Sequence, residues 1–268
     1  MKRLIVNADD FGYSDEVNKG IIESHLNGIV TSTSIIVNMP GFKSAVKLAK
    51  ANPSLDTGIH LNLTEGTPLS QSTLAVKGKF SGSYLNFILN KYPDEEIEAE
   101  LEAQILKLRE AGIKISHIDG HQHIHLFPKV FKIIVNLAKK HKIKFVRIPD
   151  EKILLNKILL GSILDGQLIK NLVLSVLSLN KKKILKDNGL KTTDNFYGIL
   201  NANQSTFTKL ASVIKNIENG TSELICHPGN ENYNNYLNRI REKKILTHPT
   251  TKELIKSSNI KLTNFKSL

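Results

Sequence analysis

Residues 117–125 read HIDGHQHIH, four histidines and one aspartate in nine positions, in a chain that has nine histidines altogether. Neutral imidazole is the commonest protein metal ligand, and its pKa lies near physiological pH. Four crowded rings repel one another when protonated and lose hydration when buried. A metal ion, or a reaction that uses the nitrogens, is the simplest reason to keep them together. His117, Asp119, His121, His123 and His125 share odd parity and would project to one face of an extended strand. Gly120 begins a turn, so the common face reaches only as far as the strand does.

Other residues with chemical potential sit at the ends of apolar runs. Asp9 and Asp10 follow RLIVNA, His60 and Asn62 belong to GIHLNLT, Arg147 lies in KFVRIP, and His227 ends SELICHPG. In parallel α/β sheets and barrels the catalytic groups gather at the carboxyl ends of the strands. Five such ends here deliver acids, imidazoles and a guanidinium to one side, which points to an enzyme. A carboxylate with two imidazoles makes an open site for a divalent ion, which can acidify water and polarise a carbonyl. Of two adjacent aspartates, one can bind the ion while the other acts as general base. His227 is the candidate acid for a leaving group, and Arg147 can hold the base ionised. Cys226 could suggest a thiol nucleophile beside His227. Strand neighbours point to opposite faces, so it reads instead as a small buried apolar residue.

These groups need a scaffold, and the periodicity supplies one. Strands are expected at 3–8, 29–38, 58–64, 144–149 and 222–229, besides the histidine strand. Helices are expected at 16–27, 42–52, 93–112 and 128–141, the third with acids at its start and Gly112 at its end. The final segment, KELIKSSNIKLTNF, reads as helix, turn and closing strand. The alternation predicts an α/β fold, a distorted (β/α) barrel of mainly parallel strands forming one domain over 1–268.

The exception is 151–190, rich in Leu and Ile but interrupted by Lys157, Asp165, Lys170 and Asn171. A membrane span needs about 20 mostly uncharged residues, so a helical insertion is expected instead. It would pack on the barrel flank, cover the pocket or form a subunit contact in a homo-oligomer. Peripheral docking on a membrane is the alternative.

The net charge of +12 is uneven: residues 139–191 hold 13 Lys or Arg against 4 Asp or Glu. No aromatic residues interleave with the basic ones as they do on base-stacking surfaces, so a solvated face is expected rather than a nucleic-acid site. A patch that attracts anionic envelope material or lipid headgroups is the other reading. Cys226 is the single cysteine, which excludes an internal disulfide and fits a reducing compartment. The opening MKRLIVNADDFG carries no secretory signal, and the cytoplasm is the expected location.

The order NADDFG, IVTSTSIIVN, GIHLNLT, HIDGHQHIHLFP, VRIP and CHPG, from residue 3 to about 229, resembles the YdjC/ChbG-like carbohydrate deacetylases. That family is related in fold to the NodB-type polysaccharide deacetylases. The resemblance implies a distorted (β/α) barrel and metal-dependent removal of an acetyl group from an N-acetylated amino sugar. Carried onto this chain, it makes Asp10, His60 and His121 the ligands of one divalent ion, Mg2+ or Zn2+. Asp9 becomes the base, His227 the acid and Arg147 the support of Asp9. Asn62, Asp119, His123 and His125 are left to bind substrate or to support the ligands from behind. Two competing readings are a metal-dependent phosphoesterase or other amidohydrolase, and a non-catalytic glycan or nucleic-acid binder. Many phosphoesterases place a His-x-His pair on the first strand, where this chain has Asp-Asp. A degenerate binder would have lost its base or acid, and both candidates are present here.

Overall fold

The computed structural model describes residues 1–71, 73–80, 92–151, 167–200, 206–232 and 238–268. Its centre is β1 (Lys2–Phe11), whose interior residues Leu4, Ile5, Val6 and Ala8 are fully buried. One edge of β1 pairs with β9 (Gly220–Cys226) from Lys2 to Ala8. The other edge is shared: β10 (Ile260–Leu262) pairs with Lys2–Leu4, and β2 (Ser32–Ile35) takes over from Asn7. Outward from β2 come β3 (Asp56–Leu61), β6 (His117–Gly120) and β7 (Phe145–Val146), and outward from β9 comes β8 (Asn195–Tyr197). Every pairing in this sheet is parallel.

The sheet curls, and a parallel bridge between Phe145 and Lys191 joins the β7 edge to the segment before β8. The result is an α/β half-barrel with helices outside, matching the expected distorted barrel. A separate hairpin, β4 (Ala75–Val76) with β5 (Lys79–Phe80), is the one antiparallel pairing among the described residues.

The helices follow from the capping and spacing signals. Ser14 caps α1 (Asp15–Leu26), its side chain accepting from the Val17 amide at 3.2 Å. Helix α2 (Phe42–Ala51) is amphipathic. Helix α3 (Asp94–Glu110) opens on Asp94, Glu95 and Glu96 and stops before Gly112, at φ +79°. Its buried face is Ile97, Glu100, Leu101, Gln104, Ile105 and Leu108, the spacing of one helical stripe. Helix α4 (Pro128–Lys140) has Pro128 in its first turn.

Two helices occupy the described part of the insertion, α5 (Gln167–Ser178) and α6 (Lys181–Asp187); Lys157 and Asp165 lie outside the described residues. Helices α7 (Phe207–Lys215) and α8 (Arg239–Thr247) and the strand β8 have no counterpart in the sequence expectations. Helix α9 (Pro249–Ser257) leads into β10, as expected of the final segment.

The regular ladder keeps four residues of the expected strand 29–38 and two of 144–149, although the Thr31, Ile36 and Arg147 amides also donate to neighbouring strands. The histidine strand ends at Gly120. His121–Leu126 is a 3-10 turn with Gln122 and His123 in the left-handed region. Odd parity therefore unites only His117 and Asp119.

Candidate active site

At the carboxyl end of β1 the chain turns sharply. Asp10 has φ +69°, a conformation costly for a non-glycine residue and concentrated at functional sites. The turn is held from within. The Asn18 side chain accepts from the Gly12 amide at 2.6 Å and donates to the Gly41 carbonyl at 2.9 Å. Asp9 and Asp10 consequently face different partners.

Asp10 is the meeting point of two imidazoles. Its Oδ1 lies 3.1 Å from His121 Nδ1 and 3.4 Å from His60 Nε2, while Oδ2 accepts from Arg239 Nη2 at 2.6 Å. Each of Asp10, His60 and His121 offers a ligand atom within 4.8 Å of the others. Burial would raise the Asp10 carboxyl, but Arg239, His121 and His60 hold it well below the carboxylate range. Behind the site, Asp119 Oδ1 lies 2.7 Å from His60 Nδ1 and so fixes the ring orientation, as carboxylates do for metal-bound histidines. Burial would push His60 down, yet Asp119, Asp10 and Asp9 raise it to about 10. His121 is likewise raised against burial, by Asp10 and Glu65. This cluster thus draws positive charge, and a divalent cation in place of those protons fits it. Asp9, His60 and Asp119 form a second close group, but the Arg147 guanidinium already fills that space.

Asp9 belongs to Arg147. The guanidinium donates Nη1 to Asp9 Oδ2 at 2.6 Å and Nη2 to Asp9 Oδ1 at 2.8 Å. Its Nη2 also lies 2.7 Å from Asp119 Oδ2, and its Nε donates to Glu223 at 2.7 Å. Arg147 is 1% exposed, so three carboxylates compensate one buried cation. Burial alone would raise Asp9, but Arg147 overrides it and keeps the carboxylate ionised. Glu223 is the loser in this arrangement. Burial and the neighbouring carboxylates raise it to about 7.

His227 follows β9, its backbone amide donating to Glu242 at 2.9 Å. Burial lowers it to about 4, against the pull of Asp10 and Asp9 and with help from Arg239 and Lys170. Lys170, on α5, is mostly buried; burial lowers its ammonium and Asp9 raises it. Its charge also acts on His123. The insertion therefore reaches into the site.

The remaining expected residues divide by what they touch. His125 Nε2 lies 3.0 Å from the Arg147 carbonyl oxygen, and a Cβ on Gly120 would come within 2.9 Å of its Nδ1. His123 is 5% exposed beside Phe196, with Nδ1 unpaired among the described residues. Asn62 spends its whole side chain on the loop after β3, accepting from Thr64 and Glu65 and donating to Asn38 and the Glu65 carbonyl. It reaches the site only through Glu65, whose Oε1 lies 3.3 Å from His121 Nε2. His117 is stacked on Phe265 at 3.9 Å, with Nε2 3.9 Å from Asp119 Oδ2. Cys226 is buried as expected.

Sequence reasoning missed three neighbours of the cluster, two of which carried little warning. Glu65 sits in a loop, and Arg239 opens a polar helix 229 residues from Asp10. Glu223 left a signal, since a charge inside an apolar central strand requires a buried partner.

A family model described as YdjC-like protein matches residues 3–257. The chain belongs to the YdjC-like family. This YdjC-like chain is 34% identical over 278 residues to a carbohydrate deacetylase of Thermoanaerobacter pseudethanolicus, covering 100% of both. It is 32% identical over 284 residues to a carbohydrate deacetylase of Clostridium beijerinckii, covering 99% of this chain and 100% of the relative. Among solved structures it is similar to an Enterococcus faecalis V583 protein described as a candidate cellobiose-phosphate cleavage protein. The TM-score is 0.82 at 27% identity, covering 99% of this chain and 98% of that one. A family 4 carbohydrate esterase of Streptomyces lividans shares the fold, with a TM-score of 0.50 at 7% identity over 98% of this chain and 92% of the other.

Proposed function

We propose that this YdjC-like protein is a divalent-metal-dependent hydrolase that removes the acetyl group from an N-acetylated amino sugar. The observation that carries the reading is the approach of His60 and His121 to one oxygen of Asp10, beside an aspartate kept ionised by a buried guanidinium. Asp10, His60 and His121 would hold the ion. Two nitrogen donors suit zinc, and magnesium would add water oxygens. When bound, the ion supplies Lewis acidity, polarising the acetyl carbonyl and acidifying a water.

The chain's own groups manage the protons. Asp9, aimed by Arg147 and by the Asn7 side chain at 2.8 Å, takes a proton from the attacking water. The oxygen adds to the acetyl carbon, the C–N bond breaks, and acetate leaves. His227 starts neutral, so the proton balance closes when the proton taken by Asp9 passes through His227 to the departing nitrogen. Asp119 and Glu223 share Arg147 with Asp9 and keep the guanidinium from moving. The curated relatives named carbohydrate deacetylases support the substrate class. We place residues 1–268 in one catalytic domain with 151–190 as its insertion, working in the cytoplasm, where the lone cysteine stays reduced.

Metal analysis of the purified protein, followed by an acetate-release screen over N-acetylated sugars with and without chelator, tests this. One bound divalent ion and chelator-sensitive acetate release are expected. Release that persists in metal-free protein overturns the metal assignment. Hydrolysis of phosphate monoesters with no acetate release from any sugar overturns the reaction class.

A further inference from the structure

Helix α5 is apolar on two sides. Leu174, 4% exposed, faces inward with Asn171 and Ser178, and the Asn171 side chain donates to the Glu151 carbonyl at 3.0 Å. The outward side carries Ile169, Leu172, Val173, Val176 and Leu179; Ile169 and Val176 are each 66% exposed and Leu179 is 67%. Positions 169, 172, 173 and 176 form one continuous helical stripe. Of the ten large exposed apolar side chains among the described residues, six lie between 169 and 184. Clustered exposed apolar groups mark an interaction surface.

Charge decides what covers it. In α6, Ile184 is exposed together with Lys183, Lys186 and one acid, Asp187. Along the sequence, residues 139–191 carry 13 basic against 4 acidic side chains, Arg147 and Lys181 among the buried ones. A second copy docked here by a two-fold axis would set lysines against lysines. A nucleic acid would take the lysines but leave the aliphatic stripe in water, with no aromatic face for its bases. A lipid surface bearing anionic headgroups satisfies both features: phosphates meet the lysines, and the apolar stripe enters the headgroup–acyl boundary. We propose that the outward face of α5, with the start of α6, docks the protein reversibly on an anionic membrane. No described helix is long and apolar enough to cross a membrane, so α5 would lie in the interface. The same helix packs against the His121–Leu126 turn, so one element carries both the docking face and a contact with the site.

Co-sedimentation of the full chain with phosphatidylcholine vesicles, with and without phosphatidylglycerol, tests the proposal. Retention is expected to be at least about tenfold stronger on the anionic vesicles and to weaken as salt rises. The pairs V173D/V176D and K183E/K186E are each expected to cut retention by about tenfold or more. Both should leave the Tm and acetate release from a soluble sugar unchanged, since all four positions are solvent-facing and outside the catalytic machinery. No retention on either vesicle, equal retention on both, or retention indifferent to both pairs overturns the proposal. A concentration-dependent dimer that V173D/V176D dissolves, without vesicle retention, would give the face to a second copy. The readout is binding, so it stands or falls separately from the deacetylase reading.

Discussion

Asp9 and Asp10, adjacent on β1, answer to different guanidinium groups: Arg147 takes both oxygens of Asp9, and Arg239 one oxygen of Asp10. Their substitutions should therefore fail differently. Asp9→Asn should lower kcat for acetate release by roughly 10²–10⁴ with bound metal unchanged, as loss of a general base does. Asp10→Asn should release the metal itself, which metal analysis reads directly. Equal metal loss in both variants would mean that the two aspartates are not divided in this way. The residue types at this site were legible in sequence because strand ends collect chemistry, and NADDFG, GIHLNLT, VRIP and CHPG each supply one. Arg239 was not. Nothing about an arginine opening a polar helix announces a partner at the far end of the chain; only packing of α8 against α1 brings it there.

At the level of elements, two contacts govern how steadily the site is held. Helix α1 approaches the loop after β9 so closely that a Cβ on Gly20 would sit 2.4 Å from the Gly229 Cα. Gly20→Ala should cost about 1–3 kcal/mol in denaturant unfolding. It should also lower acetate release, because the displaced loop carries His227. Glu151 is the second contact. Its Oε2 accepts from the Ile199 and Leu200 amides at 2.7 and 3.0 Å while its carbonyl holds Asn171 of α5. Burial raises this carboxyl from 4.5 to about 7, more than those amides lower it. The folded state thus keeps a proton that the unfolded chain loses near pH 4.5. Stability should fall as pH rises from about 4.5 to about 7, and the full cost is carried above that range. Glu151→Gln preserves an acceptor for both amides, so it should raise stability at pH 8 by up to about 3 kcal/mol and flatten this part of the profile. An unchanged profile would mean that Glu151 ionises as a solvated acid does.

Taken as a whole, the fold was readable where periodicity is strong, as in α3, with acids in its first turn, and α4, with Pro128 in its first turn, each burying one apolar face. The three-residue β8 was not, because so short a run has no period of its own and depends on Ser222, Glu223 and Leu224 for its pairing. The half-barrel brings the three candidate ligands from β1, β3 and the turn after β6, so an ion held by all of them would brace the sheet across its opening. Chelation should accordingly lower the Tm by several degrees, and restoring the ion should recover it. A Tm indifferent to chelator would separate the ligand trio from the stability of the sheet.

The edge of β1 that is shared between β10 and β2 has a consequence for how the molecule is made. Lys2 pairs with Gly220 on one side and Ile260 on the other, so β1 is made long before these two neighbours. Asp9 and Asp10 likewise precede Arg147 and Arg239 along the chain, so two carboxylates destined for burial wait for their cations. Closing such distant pairings is entropically slow. Nascent β1 is thus a waiting strand, its apolar stretch unpaired on the β9 and β10 sides until those segments are made.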